Sequence, residues 1–293
     1  MKELKGMCVP VCTTFDSAGD SIDEVSYLKH IDAMIEAGVH IIMVCGGTGE
    51  FAYLSTVEKR RLVEISARHV EGRAMFVAQT SAISTRDTIE ATKHAADQGV
   101  DAAMILPPYF EGPDLEGVYY HFEAINTAVD VPIMVYNIPQ HSGIDITPDY
   151  FRRLLELSNV RYIKDSMGDL VRIQELVETG GIIFNGGDPI AFQGLLAGCQ
   201  GCVWGTINAM PREAVQLYDL VSSGRLVEAN EIWKRVLPFQ LFVWSTPVYN
   251  PAVKAAANFQ GFSVGEGRKP QLVLADSELE RLKSALASLN VSS

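Results

Sequence analysis

Basic residues are in short supply. The chain has 24 lysines and arginines against 36 aspartates and glutamates, a formal net charge of −12, and no block of basic side chains. That balance lacks the electrostatic footprint for nucleic acid or an anionic membrane, so neither is expected as a partner. An anionic ligand would have to be met by a local device such as oriented backbone N–H groups. Long apolar runs are missing as well, since none approaches the ~18 residues a membrane helix needs. The five cysteines (Cys8, Cys12, Cys45, Cys199, Cys202) are an odd set, and no secretory signal is read, because Pro10, Thr13 and Thr14 interrupt the apolar stretch behind the N-terminal lysines. A reduced, cytoplasmic protein is the expectation. No G-x-G-x-x-G follows the first apolar run, and neither a Walker loop nor a serine nucleophile elbow occurs. Cys199-Gln200-Gly201-Cys202 has no second pair or paired histidines at ligand spacing, and reads as two buried thiols rather than a metal or redox site.

What the chain does have is a repeat of architecture. With 47% apolar and 20% charged residues over 293 positions, a large core is expected. Eight β-rich runs recur, at 7–15, 40–47, 74–80, 101–109, 131–139, 160–166, 181–187 and 201–206. Seven are nearly continuous in apolar residues, the pattern of strands covered on both faces in a parallel sheet. Helical spacing lies between them. Residues 23–39 place Val25, Leu28, Ile31, Ile35 and Val39 on one face and stop near Gly38, and residues 85–100 stop at Gly99. Eight strand–helix units in about 210 residues predict a (β/α)8 TIM barrel, for which ~250 residues is typical. A doubly wound open sheet is the alternative. Residues 1–210 are read as the barrel and 211–293 as a C-terminal helical region of the same structural unit, covering the barrel or forming a subunit contact. Its "LFVW" (241–244) reads as helix core.

Barrels work at the C-terminal ends of their strands. Those ends here are "GGTGEF" (46–51), "PPYF" (107–110), "YNIPQHSG" (136–143), "KDSMGD" (164–169) and "GGDP" (186–189). On the sixth strand alternation sets Val160, Tyr162 and Lys164 on one face, with Lys164 nearest the rim. A lysine held out of water supplies neutral amine for addition to a ketone, giving a Schiff base; a strand-end lysine that snorkels to solvent is the plainer account. Tyr136 ends the neighbouring strand, and a phenol beside an amine can relay the protons that imine formation requires. Alone it is equally an interior tyrosine with its hydroxyl satisfied. The glycines and Thr48 of "GGTGEF" suit a carboxylate clamp, or else a tight turn with Glu50 in the next helix. "GGDP" reads as a weak phosphate loop with no basic residue near it, and His141 is the only histidine on a rim loop.

Quoted together, "GGTGE", "PPYF", "VYNIPQHSG", "IKDSMGD", "GGDP" and "NPAVKAA" resemble the dihydrodipicolinate synthase/N-acetylneuraminate lyase family of class I aldolases and dehydratases, along nearly the whole chain. The resemblance implies a barrel with C-terminal helices, usually a homotetramer. It makes Lys164 the imine-forming lysine and Tyr136 the proton-relaying tyrosine. Gly47 and Thr48 would hold the carboxylate of a pyruvate-like 2-oxo acid, and the Val203 carbonyl would face it. Three positions depart from the lysine-biosynthetic synthase. Gly47 replaces a hydroxyl that links the catalytic tyrosine to a second tyrosine from a neighbouring subunit, Phe110 replaces that second tyrosine, and His141 replaces an arginine that binds the aldehyde substrate's carboxylate. The expectation is therefore a Schiff-base lyase of the 2-keto-3-deoxy sugar-acid branch, an aldolase or dehydratase, needing no metal or organic cofactor. The alternatives are the synthase itself, condensing pyruvate with aspartate semialdehyde, and a non-catalytic oxo-acid sensor.

Overall fold

The structure, a computed structural model, describes residues 3–290; the ends of the ranges 1–210 and 211–293 beyond these lie outside the described residues. Each apolar run holds one strand: β1 Gly6–Pro10, β2 Ile41–Val44, β3 Met75–Gln79, β4 Ala102–Ile105, β5 Ile133–Asn137, β6 Val160–Asp165, β7 Ile182–Asn185 and β8 Gly201–Val203. The strands are shorter than the runs, because stretches such as 11–14 and 106–109 continue past the ladder into rim loops. All pairings are parallel, and β8 returns to β1 with Gly201 beside Gly6, closing the barrel in sequence order. Closure leaves no edge strand, so both faces of every strand must be covered. Inside, Cys8, Met43, Val77, Met104, Tyr162 and Phe184 fill the barrel; outside, the strands pack on the helical ring. The continuous apolar runs have this origin.

The β5–β6 pair departs from simple alternation. Ile133 lies opposite Val160 and Met134 opposite Tyr162, so Arg161 is an extra residue and the strand bulges. Val160, expected on the face of Tyr162 and Lys164, packs instead with the outer cluster. Tyr162 and Lys164 keep the inward direction. The helix Glu24–Glu36 is also rotated from expectation. It buries Tyr27, His30, Ile31 and Met34 and leaves Val25 exposed. Tyr27 and Met34 remove more apolar surface from water than Val25 would in the first turn. Gly38 and Gly99 follow their helices with φ of 87° and 81°, the left-handed stop that glycine allows without strain.

Among the described residues four α-helices follow the last strand: Pro211–Ser222, Leu226–Ser245, Tyr249–Phe259 and Asp276–Leu286. The first packs on β1 and the second lies along the first. The third reaches the rim, where Asn250 Nδ2 donates to the Gly47 carbonyl at 3.0 Å. Among the described residues no helix is long and apolar enough to cross a membrane.

Candidate active site

The C-terminal ends of the strands surround a cavity of about 620 Å³. Lys164 enters it from β6 and Tyr136 from β5, at paired positions of the ladder. Both are almost wholly buried. The Lys164 ammonium nitrogen lies 3.9 Å from the centre of the Tyr136 ring, so the phenol covers the amine and shields it from bulk water. Below them Cys8 and Phe184 close the floor, and burial pushes the Cys8 thiol far up, so it stays neutral. Gly186 on the β7 loop lets the neighbouring strand come close: a Cβ there would fall 2.2 Å from Ser166 Oγ and 2.8 Å from Lys164 Cε. Among the described residues Lys164 is the only lysine or arginine lining the cavity.

Across the rim, the loop after β2 presents unpaired donors. Among the described residues the N–H groups of Gly47 and Thr48 donate to no acceptor, while Glu50 and Phe51 donate back to the carbonyls of Gly47 and Gly46. The two unused donors, with Thr48 Oγ, suit a carboxylate. Glu50 caps a short 3-10 turn, Phe51–Tyr53, and does not enter the next α-helix, which begins at Thr56 behind a Ser55–Glu58 capping box. It adopts a left-handed φ of 61° and forms a buried ion pair with Lys254, 2.6 Å away. A Cβ at Gly47 would meet nothing within 4 Å, so this glycine leaves open the space a side chain would fill. Val203 on β8 completes the wall, and His141, on the short helix Pro139–Ser142, stands exposed at the cavity's edge. Phe110 points away into a separate shallow groove, and Tyr109 lines the cavity in its place.

Residues 3–289 match the dihydrodipicolinate synthetase family along the chain. The chain belongs to that family. A curated relative, the 4-hydroxy-tetrahydrodipicolinate synthase of Geotalea uraniireducens, is 32% identical over 95% of this chain and 96% of its own. The chloride-inhibited dihydrodipicolinate synthase of Acinetobacter baumannii, solved with pyruvate, superimposes with a TM-score of 0.92 at 30% identity, covering 99% of this chain and all of the other. YagE, a prophage protein of the dihydrodipicolinic acid synthase family from E. coli K12, solved with pyruvate, gives 0.94 at 25% identity over 99% and 100%. As a member of the dihydrodipicolinate synthetase family the protein is an enzyme, a lyase of the class I aldolase type. The non-catalytic sensor is set aside.

The structure brings all six sequence-selected residues of this family member, Lys164, Tyr136, Gly47, Thr48, Val203 and His141, to one cavity. Others were missed. "GGDP" contributes Asp188 to the cavity lining, and an acidic residue there disfavours a phosphate. Burial pushes Asp188 up to about 6. "LFVW" is not all core: Val243 and Trp244 line the mouth, and Leu241 is exposed. Thr246, Tyr249 and Asn250 come from the same C-terminal stretch. No local pattern marks these residues as site-forming, since only the docking of distant helices brings them to the rim. Cys199 and Cys202 are free and buried, and no cluster of metal-ligating side chains occurs among the described residues.

Proposed function

We propose that the protein joins Lys164 to the C2 ketone of a pyruvate-like 2-oxo acid as an imine, and uses that imine to make or break the bond beyond C3. The observation that carries this is the buried Lys164 amine under a phenol, opposite unused backbone donors. The amine adds to C2, Tyr136 relays protons through the carbinolamine, and water departs. Gly47, Thr48 and the Thr48 hydroxyl hold the C1 carboxylate, the Val203 carbonyl faces the bound acid, and His141 meets the far end of the second substrate. The protonated imine then accepts the electron pair from C3.

Two second substrates have support. The relatives' names favour the synthase, condensing pyruvate with aspartate semialdehyde, over the 2-keto-3-deoxy sugar-acid lyase first expected. No comparison supports placing the chain in the sugar-acid branch. The cavity favours that branch on one point: among the described residues a second carboxylate finds no lysine or arginine besides Lys164, whereas Gln140, Ser166 and Asp188 offer hydrogen bonds to hydroxyls. On the family likeness alone we also propose a cytoplasmic homotetramer.

Borohydride reduction with pyruvate, followed by peptide mass spectrometry, tests the imine. An adduct on Lys164 is expected; an adduct elsewhere, or none although pyruvate binds, overturns it. Product analysis with pyruvate plus aspartate semialdehyde, and separately with keto-deoxy acids, decides between the substrates.

A further inference from the structure

Three carboxylates are almost wholly buried among the described residues: Glu50, Asp165 and Asp188. Glu50 pairs with Lys254 at 2.6 Å and Asp165 with Arg172 at 3.0 Å. No cation lies within 4 Å of Asp188. Unlike the other two, Asp188 has no ion-pair partner in contact, and its burial is offset by a hydrogen bond and by the more distant charge of Lys164. Its one close donor is Tyr249, whose hydroxyl gives it a hydrogen bond of 2.9 Å. Thr206 lies farther off at 3.4 Å and has a better acceptor in Gln240 at 2.9 Å. Four tyrosines line the cavity, Tyr53, Tyr109, Tyr136 and Tyr249, and among the described residues only Tyr249 donates to a carboxylate. Its hydroxyl and Thr48 Oγ both border Gly205, where a Cβ would lie 2.6 Å from each oxygen.

We propose that Tyr249 and Asp188 form a second acid–base unit of this enzyme, which removes and returns the C3 proton of the oxo-acid imine. The proposal rests on the Lys164 imine. An oxo acid tied at C1 by Thr48 and at C2 by Lys164 presents its C3 carbon inside the cavity that Tyr249 lines. As the C3–H bond breaks, its electron pair becomes the C2–C3 double bond, and the C2–N π pair returns to nitrogen and cancels the iminium charge. The proton passes to the Tyr249 oxygen while the phenol's own proton passes to Asp188, which becomes neutral. Reversal restores the imine, and no other reactant is needed. Tyr136 remains the relay for carbinolamine formation.

The acceptor form is ionised Asp188, whose pKa burial raises to about 6. The groups facing it are Tyr249 from the helix Tyr249–Phe259, Cys202 from β8 and Lys164 from β6. Burial drives Tyr249 and Cys202 well up, so neither ionises in that range.

Pyruvate alone suffices for the test. Exchange of its methyl protons with deuterium oxide, followed by proton NMR, reports the C3 step, and borohydride trapping reports the imine. Tyr249→Phe and Asp188→Asn are expected to trap pyruvate at Lys164 as the unaltered protein does, while exchange slows roughly 100-fold, the lower range for losing an acid–base group. The unaltered protein's exchange rate should rise between about pH 5 and 7, and Asp188→Asn should lose that rise. Exchange within about twofold of the unaltered rate in Tyr249→Phe, with trapping intact, overturns the proposal and leaves the imine standing. Absence of trapping in the unaltered protein removes both.

Discussion

Gly186 decides how near β7 comes to the Lys164 amine. With Lys164 Cε 2.8 Å and Ser166 Oγ 2.2 Å from any Cβ placed there, Gly186→Ala must displace one of them. The Lys164 stem is held by Tyr136 on one side and by Gly186 on the other, so a shift moves the nitrogen off its position over the ring. Trapping of pyruvate by borohydride is expected to slow at least ~10-fold in Gly186→Ala, since small misplacements of a nucleophile carry penalties of that order and above. Circular dichroism at the unaltered level would show that the fold survives; unchanged trapping would contradict the steric account. The lysine was legible because a charge at the end of an apolar strand demands an explanation. The glycine's role was not, because its neighbours stand 20 and 22 positions earlier in the chain.

At the scale of elements, the helix Tyr249–Phe259 and the loop after β2 depend on each other. Lys254 joins Glu50 at 2.6 Å, donates to the carbonyls of Thr13 and Glu266, and lies over the Phe15 ring. Glu50 also accepts from the Arg268 backbone. These contacts hold a non-glycine residue at φ 61° next to the unused amides of Gly47 and Thr48. Lys254→Met strands the Glu50 charge in the interior, and is expected to lower the unfolding free energy by roughly 3–5 kcal/mol in urea titrations. Lys254→Met combined with Glu50→Gln should lose less than Lys254→Met alone, because no charge is then left unpaired; a larger loss would mean that shape, not charge, holds the loop. The motif "NPAVKAA" was visible beforehand, but its lysine's partner was not. Two hundred residues separate them, and periodicity carries no information about which face meets which loop.

Over the whole molecule, residues 1–210 and 211–293 share both a core and a cavity wall. Trp204, after β8, stacks on Trp233 of the helix Leu226–Ser245 with ring centres 6.2 Å apart. We propose that the two parts form one structural unit. Heat unfolding followed by tryptophan fluorescence and by far-ultraviolet circular dichroism is then expected to give coincident curves; two separated transitions would show independent units. The barrel itself was determined by sequence alone: closure covers each parallel strand twice, and double burial writes continuous apolar runs between glycine-stopped helices. Lys164, Tyr136 and the Gly47–Thr48 turn were likewise readable, because strand ends have a known direction. Tertiary structure alone decided the bulge at Arg161, the contact of Asp188 with Tyr249 and the entry of Tyr249 into the cavity wall. Each depends on what a residue touches across the molecule, and a one-dimensional pattern records which way a side chain faces within its own element, not what another element brings to meet it.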